Sequence, residues 1–111
     1  MEITFHNNKL KKRCSQEREA IKAYGQRRAR KLMQRLMELR AADNLSQIPT
    51  TPPPRCHELT GKLKGTLSVD LEHPWRLFFV PNHDPIPTKK DGGLDWESVT
   101  AIIIIDVKDP H

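Results

Sequence analysis

The feature that most constrains this 111-residue chain is a β-branched run near its end, "SVTAIIIIDV", at residues 98–107. Four consecutive isoleucines leave no polar residue for a solvent-exposed face of the strand. A short and continuously apolar run of this kind is typical of a buried strand. We therefore expect residues 98–107 to form a central strand of a sheet, covered on both faces.

Three shorter segments alternate apolar and polar residues, as half-buried strands do. They are residues 2–6, 67–71 and 75–80. In the third segment Arg76 falls on the opposite face from Leu77. Because the connections between the later strands are turn-like, we expect mainly antiparallel pairing.

The region from residue 16 to about 42 carries a helical pattern, preceded by one or two possible helical turns at residues 7–14. Ser15 is a plausible N-cap, and Gly25 weakens the middle of the helix, where a bend is expected. Apolar residues recur at spacings of three, four and eight, which makes one apolar stripe. Its members are Ile21, Ala29, Leu32, Leu36 and Leu39.

The order of these segments, a strand, two helices and then three strands, predicts an α+β fold in one domain over residues 1–111. The helices would cover one face of the sheet, leaving the other face partly open with Arg76 on it. A proline-rich arm at residues 43–55 joins the two halves. The loop at residues 81–95 is long for a small domain, which is typical of functional or mobile loops.

The formal charge of +5 is unevenly distributed along the chain. Residues 1–43 hold twelve Lys/Arg and five Asp/Glu, whereas the remainder holds seven and nine. A basic half of this kind indicates a polyanionic partner or an acidic protein partner. A solvated helix surface explains the same charges about equally well.

Several classes of function find no support in the sequence. The P-loop, GxGxxG, HExxH and GxSxG motifs are absent, and the cysteines and histidines lack the paired spacing of a zinc site, so neither a metal nor a cofactor is expected. The longest apolar run, Ala101–Ile105, is too short to span a bilayer. With two cysteines and no signal peptide, we expect a reduced cytoplasmic protein without membrane contact.

An arginine within an apolar strand must find an anion. For Arg76 this is either a phosphate or a salt-bridge partner, with Asp70, Glu72 and Asp106 as the candidates. Sequence alone favours the salt bridge slightly.

The remaining candidates for chemistry lie in a turn and at the end of the chain. Lys62 and Lys64 could steady a phosphate or could be solvated turn lysines. His111 can act as an acid or a base near neutral pH, and Asp109 could orient it. Metal-free RNA cleavage needs only a base for the ribose 2′-OH, cations around the phosphate and an acid for the leaving oxygen. These residue types therefore permit a ribonuclease.

The chain as a whole resembles the HigB-like host-inhibition toxins, or plasmid-maintenance killer proteins, of the RelE/ParE superfamily. The resemblance is carried by "HELTG", by "KG" leading into "SVDL", by "HPWRLFF" and by the Asp-x-His ending. The helical region "YGQRRARKLMQRLMELRAADNLSQIP" is also similar to that family. Together these motifs cover nearly the whole sequence.

This resemblance implies a compact RelE/ParE-like fold and a toxin of a type II toxin–antitoxin system. Such a toxin inhibits translation as a metal-independent endoribonuclease that cleaves mRNA, typically on the translating ribosome. The implied partner is a cognate helix-turn-helix (HigA-like) antitoxin that neutralises the toxin. Operator DNA would be bound only through the complex of the two proteins.

The resemblance also implies roles for individual residues. Arg76 would bind phosphate, Asp109 and His111 match the outer residues of an Asp-Tyr-His ending, and Lys62 would assist catalysis. Two residues depart from the family. Thr60 stands where some members have a lysine, and Pro110 stands where the family has a tyrosine. The residues expected to contact RNA are Arg27, Arg28, Lys31, Arg55 and Lys64.

Two other functions remain open from the sequence. One is a ParE-like inhibitor of a protein target such as DNA gyrase, without a nuclease site. The other is an attenuated toxin that is kept as a regulatory partner of its antitoxin. The Asp109/His111 ending favours the nuclease, and Pro110 favours the alternatives.

Overall fold

The structure is a computed structural model, and it describes residues 1–110. The predicted acid–base residue His111 therefore lies outside the described residues. The helices and strands are β1 (Glu2–Phe5), α1 (Asn8–Ser15), α2 (Glu17–Tyr24), α3 (Gln26–Ala41), β2 (His57–Glu58), β3 (Leu67–Asp70), β4 (Arg76–Pro81) and β5 (Ala101–Lys108).

The strands form one five-stranded sheet in the order β1-β5-β4-β3-β2. β1 pairs in parallel with β5, and every other neighbouring pair is antiparallel. The predicted α+β class and the mainly antiparallel sheet are confirmed. The sheet contains one strand more than expected, because the two-residue β2 is too short to produce a period-two pattern.

The run of isoleucines forms β5, which lies between β1 and β4 as expected for a central strand. The prediction that both of its faces are covered is wrong. Ile102 and Ile104 are fully buried, whereas Ile103 and Ile105 are only half-buried. The helices pack on one side of the sheet, so alternate isoleucines on the other side are sheltered only by their neighbours.

The predicted long helix consists of two helices that are separated at Gly25. This glycine has φ +89° and ψ 162°, a conformation that is essentially restricted to glycine. The prediction of Ser15 as an N-cap is also wrong, because Ser15 is the last residue of α1 and Gln16 precedes α2. A side-chain cap occurs instead at Asn7, whose Oδ1 accepts a hydrogen bond from the Leu10 N–H at 2.8 Å.

The core lies between α3 and one face of the sheet. Leu32, Leu36 and Leu39 of α3 are buried in the same apolar cluster as Leu77 of β4. Ile21, which was predicted in the same stripe, is 37% exposed, because the break at Gly25 puts it on a separate helix. None of the helices within residues 1–110 has the length and hydropathy needed to cross a membrane.

Candidate functional site

The face of the sheet that the helices leave uncovered, called the open face below, carries a row of charged side chains across four chain segments. Arg76 at the start of β4 pairs with Asp70 of β3 on one side and with Lys108 of β5 on the other. Arg55, just before β2, reaches Asp70 from the far side. We call these four residues the charged row.

Asp70 is the anion at the centre of the charged row. Arg55 binds it through two hydrogen bonds, from Nε to Oδ2 at 2.7 Å and from Nη2 to Oδ1 at 2.9 Å. Arg76 Nε lies farther away, 3.7 Å from Oδ1. The salt bridge anticipated for Arg76 therefore exists, but Arg55 holds the carboxylate more closely. Two guanidinium groups share one carboxylate, which leaves a positive surplus at Arg76.

Asp70 is itself held from the core side. The buried Arg35 donates from Nε to the Asp70 main-chain oxygen at 2.8 Å and from Nη1 to Glu38 Oε1 at 2.8 Å. The end of β3 is thus fixed by arginines from both sides of the sheet. Asp70, at the centre of the charged row, is consequently held in place, whereas Lys108 at its end is exposed.

Lys108 completes the charged row at the end of β5. Its Nζ lies 5.4 Å from the centroid of the Phe78 ring and 3.6 Å from Asp106 Oδ2. Asp109 follows directly and is exposed, so the predicted carboxylate lies at this end of the row. Sequence reasoning overlooked Lys108, although its alternation with Asp106 along the strand was a usable signal.

A second row, two residues along the strands from the charged row, contains His57. The pairing of β2 to β5 brings His57, Ser68, Phe78 and Asp106 into register on the open face. The His57 Nδ1–H donates to the Arg55 carbonyl oxygen at 3.0 Å, so in the neutral ring the lone pair is on Nε2. From the sequence His57 was considered as a metal ligand and as part of the "HELTG" motif, but it received no catalytic role, because its position depends on the register of the unpredicted β2.

Lys62 and Lys64 lie at the opposite end of β3 from Arg76. Both are exposed in and after a 3-10 turn, Gly61–Leu63, which begins at the exposed Thr60. β3 runs for about 10 Å between this turn and the level of Arg76. The structure therefore does not bring these two lysines together with Arg76 and Asp109.

The long loop after β4 forms a cavity beside this turn. Its volume is about 350 Å³, and its lining includes Lys64, Val80, Ile86 and Leu94. Thr88 and Leu94 pair across the loop, which gives it structure of its own.

The basic residues predicted on the helices divide into two kinds. Arg27 is 89% exposed with a loose contact of 3.9 Å to Glu72, and Lys31 is also exposed. Arg28 instead lies over the Trp75 ring at 4.6 Å and donates from Nη1 to the Tyr24 main-chain oxygen at 3.2 Å. Arg27 and Lys31 are thus available to a partner, whereas Arg28 supports the segment that leads into Arg76.

The two cysteines offer no reactive group. Burial raises the pKa of the Cys14 and Cys56 thiols to about 12, so both are protonated near neutral pH. Within residues 1–110 no group of three His, Cys, Asp or Glu side chains is arranged to hold a metal ion.

Comparison with known proteins is informative at the level of fold. No protein-family model matches the chain, and no curated protein matches it. Among solved structures, the chain matches a YoeB/ParE toxin from Agrobacterium tumefaciens with a TM-score of 0.59 and 11% sequence identity, over 100% of both chains. The protein therefore has the fold of a YoeB/ParE toxin, which confirms the RelE/ParE-like architecture expected from the sequence. The specific resemblance to HigB-like members stays a prediction.

Proposed function

We propose that this chain is the toxin of a type II toxin–antitoxin system and that it cleaves mRNA on the translating ribosome without a metal ion. The observation that carries the proposal is the open face, where Arg76 and Lys108 lie on paired strands and His57 lies two strands from Arg76 in the same sheet of a toxin-like fold. Cations beside an imidazole supply the groups that metal-free phosphodiester cleavage needs.

The phosphate would bind at the charged row. Arg76 and Lys108 are adjacent on paired strands, so their side chains can contact one phosphate group from two sides. Arg55 supports this role because its two hydrogen bonds occupy both oxygens of Asp70. The carboxylate is then a weaker competitor for Arg76, whose guanidinium can turn toward a phosphate.

The proton transfers would be shared between His57 and the end of the chain. His57 Nε2 takes the proton of the ribose 2′-OH, and the 2′ oxygen attacks phosphorus to form a cyclic phosphate. The bond from phosphorus to the 5′ oxygen breaks, and that oxygen receives a proton from His111, which Asp109 orients. His57 lies two strands from Arg76 and in register with Phe78, two residues along β4, so the two backbones are about 12 Å apart, a distance that two side chains and a phosphate can fill.

The other predicted basic residues would contact RNA outside the chemical step. Lys62 and Lys64 lie too far from Arg76 to share its phosphate, so we propose that they bind a neighbouring part of the RNA. Arg27 and Lys31 would contact phosphates through α3, an interaction that weakens as salt is raised. Arg28 and Arg55 would act indirectly, by supporting Trp75 and Asp70.

The proposed partner is a helix-turn-helix antitoxin of the HigA-like kind. It would neutralise the toxin in the cytoplasm and repress the operon with it, so that operator DNA is contacted only through the complex. Support comes from the YoeB/ParE toxin fold together with the sequence resemblance. A gene for a small helix-turn-helix protein beside this one is the expected observation.

Expression without antitoxin, followed by mapping of mRNA 5′ ends, tests the nuclease directly. The wild type should produce new 5′ ends within coding regions, and Arg76→Ala, His57→Ala and His111→Ala should each reduce them by about 100-fold or more. Lys22→Ala, which removes an exposed cation on α2, is the control and should behave as the wild type. Equal cleavage by all variants would refute the assigned roles.

A second candidate function is inhibition of a protein target such as DNA gyrase. Two observations favour it: Asp70 neutralises part of the charged row, and Pro110 stands where the resembling family has a tyrosine. DNA damage with intact mRNA on expression would select this function. Unaffected growth together with antitoxin binding would select an attenuated toxin instead.

A further inference from the structure

A separate polar cavity of about 200 Å³ lies beside the end of β5. α1 and α2 form one wall, with Lys9, Arg13 and Tyr24, and β5 forms the other, with Asp106. The volume is below the roughly 300–1,000 Å³ of sites for drug-sized ligands, so this cavity suits a smaller polar ligand. Neither Lys9 nor Arg13 was assigned a role from the sequence.

Among residues 1–110, the cations of this cavity have no carboxylate partner. Lys9 is exposed and Arg13 half-buried, and within residues 1–110 neither takes part in an ion pair. The Arg13 guanidinium lies 5.7 Å from the centroid of the Tyr24 ring, which holds its position. Two positive groups therefore face the cavity from one wall.

The opposite wall carries an acceptor. Asp106 Oδ1 accepts the Val107 N–H at 2.8 Å, and Oδ2 lies 3.6 Å from Lys108 Nζ. Each carboxylate oxygen can accept a further hydrogen bond. A bare anion would be repelled by this carboxylate, whereas a ligand with both an anionic group and hydroxyl donors matches both walls.

Asp106 links this cavity to the charged row, because it lines the cavity and its Oδ2 lies 3.6 Å from Lys108 Nζ. Asp106 and Lys108 point to the same face of β5 and are about 7 Å apart along the strand. A sugar–phosphate chain held at Lys108 and Arg76 can therefore continue past Asp106 into the cavity. Its polar lining fits such a chain better than an apolar side chain of a protein.

We propose that this cavity binds the sugar and phosphate of the nucleotide next to the cleaved phosphate. Lys9 and Arg13 contact its phosphate, and Asp106 accepts a hydrogen bond from a sugar hydroxyl. The inference rests on the proposed function, since it extends the same RNA path across β5. An acidic segment of a protein partner is the competing occupant.

The test is an NMR titration of the full chain with adenosine 5′-monophosphate, which lacks the 3′ phosphodiester that the proposed reaction breaks. We expect amide shift changes at Lys9, Arg13 and Val107, and an affinity about 10-fold weaker in Lys9→Ala and in Arg13→Gln, as loss of a charged hydrogen bond predicts. Lys11→Ala is the matched control, because Lys11 is an exposed cation on the same helix that does not line the cavity.

Four outcomes would overturn the inference. They are shift changes confined to other surfaces, equal affinity of Lys9→Ala and Lys11→Ala, binding of inorganic phosphate as tight as that of the nucleotide, and displacement of the nucleotide by an acidic peptide. Binding here without any mRNA cleavage by the wild type would sustain the inference while refuting the proposed nuclease. Cleavage of mRNA without nucleotide binding in this cavity would sustain the proposed nuclease and refute the inference.

Discussion

At the scale of single residues, neighbouring arginines in this protein have different physical roles. Arg27 extends into solvent from the start of α3, whereas Arg28 stacks on Trp75 and binds the end of α2. Helical periodicity alone could not distinguish them, because the contact partner of Arg28 comes from the turn before β4. The distinction matters for the site, since Trp75 directly precedes Arg76.

Arg28→Ala should lower the free energy of unfolding by about 1–2 kcal/mol, because it removes a cation–π contact and a hydrogen bond. Arg27→Ala should change it by less than about 0.5 kcal/mol, since an exposed ion pair contributes little. Urea unfolding followed by circular dichroism measures both. Equal effects of the two substitutions would contradict the separate roles.

The buried thiols predict a pH dependence of stability. Both pKa values are raised to about 12 in the folded protein, so between about pH 9 and 12 the unfolded chain loses thiol protons that the folded chain keeps. Stability must therefore fall as pH rises in this window, by up to about 1.4 kcal/mol per pH unit for each thiol.

Urea unfolding at pH 8, 9 and 10 measures this slope. Other groups also titrate in this range, so the double variant Cys14→Ala/Cys56→Ala serves as the reference. Its stability should fall less steeply above pH 9 than that of the wild type. Parallel slopes for the two proteins would show that the thiols are not the cause.

At the scale of elements, Gly25 decides how the helices are arranged. No atom lies within 4 Å of a Cβ built at this position, so the cost of a side chain is backbone strain rather than a clash. Gly25→Ala should lower the free energy of unfolding by about 1–3 kcal/mol. Ser15→Ala should change it by less than about 0.5 kcal/mol, because Ser15 is exposed and does not cap α2.

Thermal and urea unfolding of the two variants provide the measurement. A cost of about 1 kcal/mol or more for Ser15→Ala would restore it as a helix cap. A neutral Gly25→Ala would mean that α2 and α3 form one continuous helix in solution. Either result would change the arrangement of the helices described above.

Local patterns predicted most of the elements because the relevant physics is local. Alternation located β1, β3 and β4, and the isoleucine run located β5. Two features depended on tertiary structure instead. The exposure of alternate isoleucines follows from helices packing on one side of the sheet only, and β2 exists because its two residues pair with β3.

At the scale of the whole molecule, the site depends on strand register. Arg76 was predicted on the open face, and Asp70 was among its predicted partners. His57 and Lys108 join it only because two pairings, between β2 and β3 and between β4 and β5, bring distant segments into line. Register of this kind is set by packing and turns, which a single sequence does not reveal.

The whole-molecule geometry also separates the predicted lysines from the charged row. Lys62 and Lys64 belong to the turn at the other end of β3 from Arg76. The motif that suggested a catalytic role for them therefore lies away from the charged row. The segment "GKLKG" is close to β3 in the sequence, but this does not show which end of β3 lies beside Arg76. The charged row and His57 therefore come only from the second half of the chain, between Arg55 and Lys108.

The most direct test of this account is a single-turnover cleavage assay with purified protein and mRNA bound to purified ribosomes. Wild-type protein should cleave the mRNA, Arg76→Ala should be slower by about 100-fold or more, and Lys22→Ala should match the wild type. Circular dichroism should show that all three proteins are folded. Absence of cleavage by the folded wild type, or equal rates for Arg76→Ala and the wild type, would contradict the proposal that the open face is a ribonuclease site.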